Sequence, residues 1–149
     1  MAEITITPPE RQDYADWRSL YQGYATFYER PMTEAIALRV WDWLFDPSQT
    51  LEALVAREKD GKVVGLAHFR AMPRPLAGSL AGFLDDLFVD PAYRGQRVAD
   101  RLIEGVAAIG RERGWGLIRW LTADDNYRAR GVYDRVAART LWITYQLDL

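Results

Sequence analysis

The chain contains no cysteine and only one histidine, His68. The first absence excludes disulfides, thiolate metal sites and a cysteine nucleophile. The second excludes a multi-histidine centre, so no metal is expected. No apolar run approaches the roughly 20 residues that a bilayer-spanning helix requires, and no membrane association is expected. The opening MAEITITPPERQDY has neither a basic stretch nor an apolar segment of signal-peptide type, which makes a cytoplasmic location the expectation. Charge of one sign is also missing. Nineteen Lys and Arg stand against 21 Asp and Glu, a formal net charge of -2, so a global basic footprint for nucleic acid is absent.

What is present is an ordinary globular balance, 49% apolar and 27% charged, in 149 residues. That length suits one domain, residues 1–149, and is short for two. Residues 3–7 alternate as a short strand and stop at Pro8-Pro9. Residues 10–29 read as a helix, with Tyr14, Trp17, Leu20, Tyr21, Tyr24 and Tyr28 at three- and four-residue steps. A second helix over 33–45 carries Ile36, Val40, Trp41 and Leu44 on one side, with Thr33 as its N-cap. LEALVARE and VVGLAHFRAM form a hairpin around Lys59-Asp60-Gly61-Lys62. After a loop over 73–78, residues 80–89 form a strand and 97–113 an amphipathic helix closed by Gly114. GLIRWLT is a strand, 125–137 a short helix, and TLWITYQLDL a closing strand. The order β-α-α-β-β-β-α-β-α-β implies an α/β fold with a central mixed sheet flanked by helices.

The run from Leu84 to Ala99 carries the most information. A strand passes through a proline turn and an Arg/Gly loop directly into a long helix. A helix N-terminus presents unpaired N–H groups and attracts anions. Arg94 and Arg97 add positive charge at that same end, where it opposes the helix dipole unless an anion is bound. Pro91-Ala92-Tyr93-Arg94-Gly95-Gln96-Arg97-Val98-Ala99 resembles the pyrophosphate loop of the GNAT N-acetyltransferase superfamily, Q/R-x-x-G-x-G/A. Arg94 and Ala99 match its ends, and Arg97 replaces its middle glycine. Further on, Asn126, Ala129 and Tyr133 match the superfamily's N-x-x-A-x-x-x-Y, although the usual Gly-Phe after that helix is missing. The wording WLTADDN…YDRVA is similar to the histone- and polyamine-acetyltransferase-like branches.

The resemblance implies a GNAT fold and acetyl-CoA as co-substrate. The backbone of Leu87, Phe88 and Val89 would hold pantetheine. Arg94, Gly95, Gln96, Arg97, Val98, Ala99 and Asp100 would hold the pyrophosphate, with Asn126 as a further cofactor contact. Acetyl-CoA is expected where the strand of 84–89 parts from that of 116–122. By the same resemblance Tyr133 protonates the departing thiolate, and Asp85 is the acidic general base, acting through a bridging water. The competing reading of Tyr133 is an aromatic packed beside Val132 and Val136; that of the aspartates is a pair of solvated or salt-bridged carboxylates.

The chemistry is consistent with these residue types. A lysine-like amine is neutral in only about one molecule in a few thousand at pH 7, so a carboxylate is needed to take its proton. A phenol donates a hydrogen bond without ionising. Strand alternation sends Asp85 and Asp86 to opposite faces, and Asp86 remains an alternative base or a substrate contact. Asn126 also suits a helix cap. His68 reads as a half-buried structural histidine rather than a base. Arg128 and Arg130 read as a solvated helix face within reach of CoA phosphates. By the resemblance, the aromatics of the first two helices (Tyr24, Phe27, Tyr28 and Trp41) wall the acceptor cleft, against a competing reading as core packing at helical spacing; Tyr28 is the candidate contact for a cationic amine.

Without a cysteine to carry a covalent intermediate, the amine is expected to attack the thioester directly in a ternary complex, with backbone N–H groups over 87–89 stabilising the oxyanion. The expected partner is a small-molecule or peptide amine acceptor. Two alternatives stay open, a non-catalytic acyl-CoA-binding sensor and a protein or peptide N-acetyltransferase. Dimers are frequent in the superfamily and TLWITYQLDL has the alternation to pair between chains, so a homodimer is a further expectation.

Overall fold

The computed structural model of the protein describes residues 3–149. Five strands form one sheet in chain order, β1 (Ile4–Thr7), β2 (Glu52–Glu58), β3 (Val63–Arg74), β4 (Ser79–Val89) and β5 (Ile118–Trp120). The first four are antiparallel and β5 lies parallel to β4. Helices α1 (Tyr14–Phe27) and α2 (Glu34–Phe45) precede β2; α3 (Val98–Arg113) links β4 to β5, and α4 (Tyr127–Val136) follows.

Strand alternation divides the core in two. Val55 and Leu66 face α1 and α2, packing with Trp17, Leu20, Ala37, Val40 and Trp41. Leu54, Val64, Ala67, Phe69 and Leu84 face α3, packing with Val98, Leu102 and Val106. Each fully buried aliphatic side chain, such as Leu66 or Leu102, contributes about 1.5–3 kcal/mol. Thr33 caps α2 as expected, accepting from the Ile36 N–H at 3.2 Å, and Gly114 ends α3 in the left-handed region at φ 78°. The buried stripe of α2 is displaced by one position. Ala37, Val40 and Trp41 are inside while Ile36 is 37% exposed, because a three- and four-residue step from Trp41 and Leu44 reaches Ala37 rather than Ile36.

Two expectations need correction. The register of β3 against β4 steps from His68–Asp86 to Phe69–Leu84, so Asp85 is the extra residue of a β-bulge. The bulge cancels the alternation. Asp85 and Asp86 both reach partners on the α1 side of β3, Arg70 and His68, instead of pointing to opposite faces. The second correction concerns the closing segment, residues 140–149, which joins no strand. Its alternating apolar positions Leu141, Ile143, Tyr145, Leu147 and Leu149 are all more than 70% exposed. A strand needs a neighbour's free backbone, and the adjacent β5 has only three residues. Among the described residues the mixed sheet is therefore five-stranded.

Candidate functional site: a cleft where two strands part

Pairing between β4 and β5 runs from Gly82–Ile118 through Leu84–Trp120 and ends there. Beyond it the strands diverge. Asp90 donates its N–H to Val64 on β3 at 2.9 Å, so by alternation the Leu87 and Val89 N–H groups turn the other way, to the open side. The opening is a cavity of about 470 Å³ walled by Leu87–Val89, by the start of α3, by α4 and by the aromatics Tyr24, Phe27 and Tyr28. Gly23 eases the approach of α1 to β4: a Cβ there would lie 2.9 Å from the tip of the Phe88 ring, which would have to shift.

The loop before α3 is fastened at several points. The Asp90 carboxylate accepts from the Ala92 N–H at 2.9 Å, and the Tyr93 hydroxyl donates to Glu58 at 2.6 Å. Gly95 takes φ 79° and Arg97 φ 58°. Both are left-handed, so Arg97 occupies a conformation natural to glycine and unfavourable for a residue with a Cβ by roughly 1–2 kcal/mol. Its side chain is 76% exposed and only 3.9 Å from Asp100. Arg97→Gly is therefore expected to raise stability by about 1 kcal/mol, read as a higher denaturant midpoint.

Arg94, Arg97, Arg128 and Arg135 line one side of the cavity. Arg135 also bonds both oxygens of Asp100, at 3.1 and 3.0 Å, tying α4 to the first turn of α3. Asp100 thus stands at the site as an ion-paired carboxylate. Of the other expected contacts, Gly95, Val98, Ala99 and Asn126 are cavity walls, whereas Gln96 is not. Asn126 is also the cap of α4, accepting from the Ala129 N–H at 3.3 Å. Arg130 turns away and bonds the Asp124 carbonyl.

Tyr133 is a cavity wall and packs edge-on against Trp120 at 5.4 Å. Burial, with a smaller contribution from Tyr28, pushes its phenol up to about 12. Tyr28 joins the same wall, 4.9 Å from the Tyr24 ring. The aspartates lie behind Tyr24, outside the cavity walls proper. Both oxygens of Asp85 accept from Arg70 Nε, at 3.2 and 3.1 Å, and Arg70 stacks over Phe83 at 4.9 Å. Burial raises the Asp85 carboxyl above its ordinary range despite Arg70. For Asp86 burial also acts upward, but hydrogen bonds from His68, Tyr21 and Tyr24 outweigh it and hold the carboxyl below its ordinary range. His68 is fully buried rather than half-buried.

The sequence did not point to Tyr21, Arg70 and Arg135 as parts of this site. The alternation of His68 and Arg70 beside two consecutive aspartates was the available signal, and it needs the bulge to become readable.

Residues 14–137 match the model of the Acetyltransferase (GNAT) family. The chain is 26% identical over 144 residues to a D-amino-acid N-acetyltransferase of Saccharomyces cerevisiae, covering 96% of this chain and 89% of that protein. It is 34% identical over 59 residues to the thialysine N-epsilon-acetyltransferase of Bos taurus, 40% of this chain and 35% of that one. Among solved structures, a ribosomal-protein-alanine N-acetyltransferase from Brucella melitensis biovar Abortus 2308 superposes with a TM-score of 0.79 at 26% identity, over 99% of this chain and 100% of the other. An aminoglycoside N-acetyltransferase in complex with CoA has a TM-score of 0.85 over 99% and 96% of the two chains; at 19% identity this likeness bears on fold alone.

Proposed function

Because this chain belongs to the acetyltransferase (GNAT) family and is an acetyl-CoA-dependent N-acetyltransferase, we propose that it acetylates a small primary amine by direct attack in a ternary complex. The observation that carries this reading is the clustering, at the end of the β4–β5 pairing, of two same-side carboxylates, an aromatic wall and a neutral buried phenol.

The cavity fits acetyl-CoA by its chemistry. Four arginine side chains suit phosphates, and the open backbone of Leu87 and Val89 suits an amide-bearing chain. Acetyl-CoA supplies an acetyl group activated as a thioester. Asp85, the carboxylate with the raised pKa, takes the proton from the acceptor's ammonium and so frees its lone pair. Asp86, held anionic, keeps that ammonium in place. The Leu87 and Val89 N–H groups offer donors to the developing oxyanion. Tyr133 donates to the leaving sulfur. Tyr24, Phe27 and Tyr28 flank the acceptor side, and their rings suit a cation. Relatives named for D-amino acids and thialysine favour a small amine over a peptide. The test is CoA-thiol release across amino acids, lysine analogues and polyamines. Amine-dependent release with a small acceptor supports the reading; release with peptides alone overturns it.

The protein is further proposed to be a homodimer. The exposed alternating segment 140–149 would bury each of its large apolar side chains for about 1.5–3 kcal/mol on pairing with a second copy. Beside β5 a groove of about 420 Å³ lies between Ile118–Thr122 and the chain's own Thr140, Trp142 and Thr144, and the buried Thr122 hydroxyl on its wall has no partner among the described residues. Light scattering is expected to give twice the 17.1 kDa chain mass, falling to one chain mass when Ile143 and Tyr145 become Asp.

A further inference from the structure

Asp86 belongs to a chain of hydrogen bonds that begins deep in the core. The Trp17 indole N–H donates to His68 Nε2 at 3.0 Å. The other ring nitrogen, Nδ1, lies 2.8 Å from Asp86 Oδ2. The Tyr21 hydroxyl meets that same oxygen at 3.0 Å. Trp17 and His68 are both fully buried, and the His68 ring is boxed by Trp17 at 5.8 Å and, edge-on, by Tyr21 at 4.9 Å.

The donors and acceptors in this chain admit one arrangement. An indole N–H can only donate. His68 Nε2 must therefore offer a lone pair, the ring proton sits on Nδ1, and Nδ1–H points to Asp86. A proton on Nε2 would set two donors against each other in a dry interior, a cost of the order that breaks buried hydrogen bonds. His68 thus has no ring nitrogen left for the cavity and cannot serve as a base there. Asp86 Oδ2 accepts two bonds, from His68 and Tyr21, and Tyr24, on the cavity wall, is a third donor to the carboxylate.

We propose that Trp17 and His68 are positioning residues: the indole fixes the imidazole as its Nδ1–H tautomer, and the imidazole fixes the orientation in which the Asp86 carboxylate meets the acceptor's ammonium. This rests on the reading of Asp86 as the ammonium anchor. It adds an element outside the cavity that sets how well a cationic acceptor binds, with no contact to either substrate. The carboxylate's orientation comes from a fixed donor on a rigid strand, which removes the entropy of ordering it at each encounter.

Because His68 is the chain's one histidine, its tautomer can be read directly on the unmodified protein. Imidazole ¹⁵N spectra at pH 7.5 are expected to show a protonated Nδ1 and an unprotonated Nε2. A dominant Nε2–H tautomer would overturn the proposal whatever the enzyme's activity. His68→Leu is expected to raise the acceptor KM about 10–100-fold, the size of a lost charge-assisted hydrogen bond, with the acetyl-CoA KM unchanged. His68→Asn, which keeps an N–H donor where Nδ1 stands, is expected to recover most of that loss. Equal changes in both KM values, or no recovery with asparagine, would reduce His68 to a packing residue and overturn the proposal. Asp86→Asn separates the two claims. If it raises the acceptor KM while His68→Leu does not, only the positioning role falls. If it leaves the acceptor KM unchanged, the anchor reading itself falls, and the positioning role with it.

Discussion

Tyr133→Phe is expected to lower kcat by about 100-fold or more while leaving the KM for acetyl-CoA nearly unchanged. The substitution removes one oxygen from a ring whose packing is already fixed by Trp120 at 5.4 Å and by Val132 beside it, so the cavity keeps its shape. What is lost is a phenolic proton. With the phenol pushed up to about 12 by burial, Tyr133 stays protonated through the whole working range and can donate to a leaving sulfur at any of those pH values. The loss should therefore be the same at pH 7 and pH 9. A comparable drop in stability, or a rise in KM without loss of kcat, would assign Tyr133 to packing, the competing reading of an aromatic on that helix face.

Asp85→Asn is expected to cost about 100-fold or more in kcat/KM and to remove the acid limb of the pH profile. The sign follows from the role. A base works only when ionised, so wild-type activity should fall as pH drops through the Asp85 pKa, which burial has moved upward. Asparagine cannot titrate, and the residual activity should lose that dependence. Asp86→Asn should behave differently. Asp86 is held below the ordinary carboxylate range, so it is ionised throughout and its replacement should appear as weaker acceptor binding with no shifted limb. The contrast comes from surroundings alone: Arg70 and solvent-poor strand for Asp85, three donors for Asp86.

Most of the scaffold was legible because its signals are local. Thr33 ahead of an apolar run, Gly114 after one, and Lys59-Asp60-Gly61-Lys62 between two alternating strands each specify their geometry within a few residues. The loop ahead of α3 was legible for the same reason, and Arg97 takes a left-handed backbone there. Features created by register were hidden. Nothing in Leu84-Asp85-Asp86-Leu87 announces a bulge, yet the bulge puts both carboxylates on one side. The Trp17–His68–Asp86 chain joins residues 51 and 18 positions apart, and periodicity records only that Trp17 and His68 lie on inward faces. The closing segment was readable as strand-forming by its alternation, but alternation cannot supply a partner, and the adjacent β5 has only three residues.

The central claim is that the cleft between β4 and β5 binds acetyl-CoA and passes its acetyl group to an amine. Calorimetric titration of acetyl-CoA into the purified protein, followed by thiol release from the same sample on adding small primary amines, tests it most directly. We expect saturable binding at one site per chain and thiol release that depends on the amine. Binding without release on any amine or peptide would leave an acyl-CoA sensor in place of the enzyme. No binding at all would contradict the account, because the left-handed Arg97 would then have closed the loop it was taken to complete.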